Sequence, residues 1–150
     1  MASHSTVRAL LEADAAAPMA DTNLDDQVWQ LLCKRIEEPK DVSGLPPEVG
    51  SYYASRLVQW EVGNGGFAQA AYSCPNWLLP AAEAYEVLGR PEFAALIREA
   101  QALVPSNPDD LEQLEQDFVA LDERLSDLEW EIDEDRIAYV RNHASAFASV

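Results

Sequence analysis

Histidine, lysine and cysteine are nearly missing from this 150-residue chain, and each scarcity removes a class of chemistry. Two histidines, His4 and His143, are too few for a metal cluster or a Ser-His-Asp arrangement. Two cysteines, Cys33 and Cys74, make no disulfide framework and suit a reducing compartment, so a cytoplasmic location is expected. Apolar runs are short. No stretch approaches the roughly 18 to 20 apolar residues of a membrane span. The Ala/Leu-rich segment Val7 to Ala17 is broken by Glu12 and Asp14, unlike a signal peptide. No P-loop or dinucleotide fingerprint occurs, because Gly63-Asn64-Gly65-Gly66 lacks the spacing and the flanking strand. Carboxylate pairs are too numerous for any one to mark a catalytic site. The expectation is a protein without enzymatic activity, cofactor or metal.

What is present in excess is acid. Twenty-seven Asp and Glu stand against ten Lys and Arg, a net charge of −17. Such a charge repels phosphate backbones and anionic membranes. It favours proteins with basic surfaces, and fast, salt-sensitive association with them. Only Lys34 and Lys40 are lysines; the other eight bases are arginine. An acidic, Lys-poor composition also serves solubility alone, so the total charge leaves both readings open.

The length fits one domain, and 48% hydrophobic residues suffice for a core without disulfides or metals. Residues 1–22 read as a flexible N-terminal arm, with a short helix near Val7 to Ala16. The domain is expected over 23–150, as a compact, single-domain, all-α bundle of about six to eight helices. Asn23 is a candidate cap for a helix carrying Val28, Leu31, Leu32 and Ile36, which Pro39 ends. Pro47 suits the first turn of the next helix, which carries Val49, Tyr52, Tyr53, Leu57 and Trp60. Gly63-Asn64-Gly65-Gly66 forces a turn before a short helix from Phe67 to Tyr72, ended by Pro75. A helix from about Trp77 to Leu88 stops at Gly89. Pro91 starts another, with Phe93, Ile97 and Leu103 inward. Pro105, Asn107 and Pro108 mark the following loop. Leu111, Leu114, Phe118, Leu121, Leu125, Leu128 and Ile132 then form one apolar helical stripe. It belongs to one long helix, or to two broken near Ser126, where Ser126 and Glu129 have capping-box spacing. Ile137, Val140, Ala144 and Phe147 make the last stripe. No strand alternation and no repeat is visible.

Nearly half the acids fall in one run. Asp109, Asp110, Glu112, Glu115, Asp117, Asp122, Glu123, Asp127, Glu129, Glu131, Asp133, Glu134 and Asp135 share 27 residues with a single base, Arg124. On a helix whose apolar stripe faces inward, these acids fall on the flanks and the outer face. Pairs three or four apart lie roughly 5 to 6 Å apart at Cβ. Phosphates along one DNA strand are comparably spaced at roughly 6 to 7 Å. The acidic run is therefore a candidate surface for basic proteins, with a solvated helix face as the alternative.

One further segment stands out: Glu61-Val62-Gly63-Asn64-Gly65-Gly66-Phe67-Ala68-Gln69. It reads as a turn in which Asn64 caps the following helix, Gly65 and Gly66 bend the chain, and Phe67 enters the core. Glu61 or Gln69 is placed to satisfy buried backbone groups. The segment resembles the E-x-x-N-G-G-F-x-Q signature of a bacterial family of DNA-mimic proteins of the DMP type. The resemblance extends through Ala81 to Gly89, Pro91 to Ala100, Leu121 to Leu125 and Tyr139 to His143. Ala70, Ala71 and Ser73 depart from the residues usual in that family. The resemblance implies an all-α fold and an acidic surface that occupies a transcriptional repressor in place of DNA.

The leading expectation is thus an acidic regulator, monomeric or homodimeric, that covers the basic face of a DNA-binding protein and touches neither nucleic acid nor membrane. An immunity or antitoxin-like protein that neutralises a basic toxin or nuclease is the alternative. A small-molecule-binding domain using the Asn64 to Phe67 turn is the weaker one.

Overall fold

A computed structural model describes residues 4–36, 44–104 and 111–150, and among them the secondary structure is entirely helical. The helices are α1 (Val7–Ala16), α2 (Asp21–Arg35), α3 (Pro47–Ser73), α4 (Leu78–Val87), α5 (Pro91–Leu103), α6 (Leu111–Leu125), α7 (Asp133–Asn142) and α8 (Ala144–Ala148). A 3-10 turn, Pro75–Trp77, joins α3 to α4. The all-α expectation holds. The expected punctuation at Pro39 and at Pro105, Asn107 and Pro108 lies outside the described residues, as do the side chains of Leu111 and Leu114.

Local chemistry accounts for most boundaries. Thr6 Oγ1 accepts from the Ala9 amide at 3.1 Å and caps α1. Helix α2 starts at Asp21, two residues before the expected cap; Asn23 lies inside it and accepts from the Gln27 amide group. Asp21 at its start and Lys34 and Arg35 at its end complement the helix dipole. Gly89, with φ +82, ends α4. The Arg90 amide reaches back to the Tyr85 carbonyl and the Gly89 amide to Glu86, a left-handed stop of the Schellman kind. Pro91 then occupies the first turn of α5.

The chain divides into two compact units, residues 1–52 with 132–150, and residues 53–131. In the first, α1 packs on α2 and α8, and α2 packs on α7. Val7, Leu10, Leu24, Val28, Leu32, Ile137, Val140 and Phe147 are buried there, and Phe147 meets the Tyr52 ring edge-on at 5.6 Å. In the second, α4 packs on α5 and α5 on α6. Its core is aromatic: Tyr85 stands edge-on to Phe93 at 4.4 Å, and Phe93 lies 6.1 Å from Phe67 and 6.0 Å from Trp130. Trp60 and Leu103, read as inward from their spacing, are instead 65% and 39% exposed.

Two arginines of α7 organise the first unit. Arg136 is 1% exposed and reaches Asp25 Oδ2 of α2 at 3.4 Å and Asp133 Oδ1 at 3.1 Å. The Tyr52 hydroxyl donates to the other Asp25 oxygen at 2.6 Å. Arg141 donates to both oxygens of Asp14, to Asp21 and to the Met19 carbonyl, at 2.8 to 3.1 Å. Residues 7–21 are therefore not a loose arm in the structure. Val7, Leu10 and Leu11 are buried, and one guanidinium from α7 holds the Asp14 to Asp21 corner. A bidentate Arg–carboxylate pair is among the stronger polar contacts available.

Removing one member of the buried pair leaves an uncompensated charge. Arg136→Ala is expected to cost about 3 to 5 kcal/mol in urea unfolding, and Asp25→Asn with Arg136→Met to recover most of it. The Arg141 bond holds the Asp14 carboxyl below its ordinary value of 3.8, against the opposing effect of burial. A depressed folded-state value means that the pair contributes fully above 3.8 and is lost as pH falls through the lower folded value. The stability difference between the protein and Arg141→Ala, followed by thermal unfolding, should therefore shrink below that pH.

Candidate acidic binding surface and the glycine kink

Helix α3 is two helical stretches joined by a kink at Gly65 and Gly66. Gly66 has φ +72 and ψ −168, a conformation open essentially to glycine alone. Space demands glycine there as well: a Cβ on Gly66 would stand 2.6 Å from Asp122 Oδ2. That closeness has a purpose. The helix restarts at Phe67, whose amide donates to Asp122 Oδ1 at 2.9 Å. The carboxylate of α6 thus satisfies an amide orphaned at the new helix start. Asn64, the expected cap, is exposed, and the group on the Phe67 amide comes from 55 residues further along the chain.

The rest of the signature closes the kink from the other side. The Gln69 amide donates to Glu61 Oε2 at 3.0 Å and to Ser73 Oγ at 2.9 Å. Glu61 precedes the kink and Gln69 follows it, so the bond clasps the two halves; neither was expected to pair with the other. A Cβ on Gly65 would come 2.7 Å from Gln69 Cβ, so that position too must be bare. Phe67 is fully buried. Ser73, one of the departures from the family pattern, is an acceptor for Gln69.

The thirteen acids of the run separate into groups. Asp109 and Asp110 lie outside the described residues. Glu112, Glu115, Asp117 and Glu123 are exposed on α6. By helical geometry Glu112 and Glu123 lie on the face opposite buried Phe118, Leu121 and Leu125, while Glu115 and Asp117 sit on the two flanks between that face and the core. Gln113 donates to Asp117 at 3.1 Å. Asp122 is withdrawn from this surface, half-buried and committed to Phe67. Burial pushes its carboxyl above the ordinary range, and the Phe67 amide bond opposes that shift.

Beyond Leu125 there is no helix until Asp133. The Ser126 hydroxyl donates back to the Glu123 carbonyl at 2.7 Å, so it closes α6 and is not a cap for a helix reaching Glu129. Burial then alternates: Leu128 and Trp130 are half-buried and Ile132 is buried, while Asp127, Glu129 and Glu131 are exposed. Asp127, Glu129 and Glu131 therefore do not continue the helix face that carries Glu112 to Glu123. Asp133, Glu134 and Asp135 belong to the first unit, in the opening turn of α7, where they complement the helix dipole, and Asp133 also meets Arg136.

Two arginines of the second unit are turned to internal partners. Arg124, the single base of the run, grips both oxygens of Glu99 on α5. Arg98 pairs with Glu86 at 2.6 Å. Sequence reasoning missed these assignments, because the partners lie 12 and 25 residues away and no local spacing signals them. Among the described residues no group of three or more His, Cys, Asp or Glu side chains is placed to hold a metal ion. No helix among them is long and apolar enough to cross a membrane.

An all-helical fold, a two-glycine kink capped from a distant acidic helix, and an outward row of carboxylates define an acidic helical protein of one particular architecture. The chain belongs to the DMP19-like protein family, whose model matches residues 43–143 and so spans the kink, α6 and all of α7. No curated protein and no solved structure matches it.

The kink makes a direct test. Gly66→Ala should cost about 1 to 3 kcal/mol through its backbone conformation. Asp122→Ala should cost about 1 kcal/mol through the lost cap. Asp122→Asn keeps an acceptor for the amide. Because the Asp122 value is raised in the fold, its contribution is present at low pH and declines as pH rises through the folded-state value. Asn should remove that decline, read as the pH dependence of the unfolding midpoint.

Proposed function

We propose that this protein is a DNA mimic that occupies the basic DNA-binding surface of a transcription factor or another DNA-binding protein. The observation that carries the reading is the outer side of α6, where Glu112, Glu115, Asp117 and Glu123 face solvent and the one nearby arginine is bound to Glu99. These four carboxylates spread over about 16 Å of helix, on average about 5.5 Å from one to the next along the axis, against about 3.4 Å for the phosphates of a single DNA strand. Membership of the family supports the same reading. The protein then acts by binding and not by catalysis, in the cytoplasm, as a monomer or homodimer, without contacting nucleic acid or membrane itself.

Capture of DNA-binding proteins on the immobilised full chain, and release of their operator DNA, is the test. Capture should be strong at low salt and weaken steeply as salt rises. Glu112→Gln with Glu115→Gln and Glu123→Gln should weaken it by about tenfold with little change in thermal midpoint. Salt-insensitive capture, or capture unmoved by the triple variant, would refute the reading. If the captured protein is instead a basic toxin or nuclease, the neutralising role takes its place.

A further inference from the structure

We propose that the groove between α5 and the turn after α6 receives one arginine or lysine side chain of the basic partner. The inference rests on the proposed function for the partner's identity, while the groove itself is a feature of the second unit alone. It has a volume of about 390 Å³ and is lined by Glu92, Ala95, Leu96, Arg124, Asp127 and Leu128. That volume lies at the low end of the roughly 300 to 1,000 Å³ usual for small-ligand sites, which suits one side chain.

The lining has two chemistries. Exposed Ala95 and half-buried Leu128, over the buried Leu96, give an aliphatic surface, matched to the methylene stem that Lys and Arg lay along apolar ground. Glu92 and Asp127 are exposed carboxylates on the same groove, matched to the cationic head. The remaining lining group, Arg124, carries a positive charge that would offset theirs if it had no carboxylate of its own. It is held by Glu99 instead, with its second nitrogen 3.2 Å from the other carboxylate oxygen, so the groove keeps a negative rim. Charge complementarity therefore selects a cation, and the aliphatic lining selects a cation on a hydrocarbon stem over an inorganic one. The groove adjoins α6 through Arg124 and the acidic run through Asp127, so a partner seated on the outer carboxylates has a side chain within reach of it.

The probe is N-acetyl-arginine amide, with its neutral isostere N-acetyl-citrulline amide as control, titrated into the full chain. The methyl NMR signals of Ala95, Leu96 and Leu128 are followed. Arginine should give saturable shifts confined to these methyls, and citrulline about fivefold weaker ones. Glu92→Gln with Asp127→Asn should weaken arginine binding by about fivefold, whereas Glu112→Gln with Glu115→Gln, which removes the same charge from the outer face, should leave it unchanged. Equal shifts from both probes, equal loss in both double variants, or shifts spread without saturation over every acidic surface would overturn the proposal. Failure here with intact, salt-sensitive capture of a DNA-binding protein removes the groove and leaves the proposed function standing. The reverse outcome removes the function and leaves the groove.

Discussion

Positive charge is the scarce resource of this chain, and where the few arginines go shapes both its stability and its surface. With 27 acids and 10 bases, most carboxylates cannot find an internal partner. The ones that do are chosen by tertiary structure. Arg136 and Arg141 bind Asp25, Asp14 and Asp21, so acids of α1 and α2 become counter-charges for α7. Arg98 and Arg124 bind Glu86 and Glu99 within the second unit. With Arg124 paired to Glu99, the exposed Glu112, Glu115 and Glu123 are left on α6 beside a cation that is already engaged.

The same economy explains the kink. A helix broken by two glycines leaves amide donors open, and a cationic or neutral side chain nearby would have sufficed only if it could accept a hydrogen bond. An aspartate can, and Asp122 already stands on the adjacent acidic helix. Using it withdraws one carboxylate from the surface and ties α6 to α3 through a single 2.9 Å bond. Gly66 must then be glycine for two independent reasons, its backbone conformation and the carboxylate packed against it. The signature reads as an architecture in which each named residue meets a structural need: Glu61 and Gln69 clasp, the glycines bend, Phe67 anchors.

Placing the acids on α6 also changes what the surface can recognise. A row on one helix is rigid over about 16 Å, because the helix fixes the carboxylate-bearing Cβ atoms relative to one another. The segment after Leu125 is different: it opens on a turn, and its exposed acids alternate with half-buried Leu128 and Trp130. The acids of this one stretch are thus carried both by a rigid helix and by the non-helical segment that follows it.

Much of the fold was legible in the residues. Pro47, Pro91 and Gly89 mark helix boundaries by their own backbone limits, and the stripe through Phe118, Leu121 and Leu125 turns inward as its spacing requires. Local punctuation and helical period are properties of a few neighbouring residues, so they can be read without a structure. The end of α6 could be placed but not the path beyond it, since the step from Leu125 to Leu128 and Ile132 fits a helix as well as an alternating chain. Long-range pairing was invisible. Asp122 looked like one more surface acid until the fold set it beside Phe67, and residues 7–21 looked loose until Arg141 was seen to hold them. Composition and order thus determined that this protein is helical, acidic and bent at Gly65 and Gly66. Only the tertiary structure decided which carboxylates are absorbed inside and which face solvent, because that choice depends on which distant amide or guanidinium folding brings within hydrogen-bonding distance.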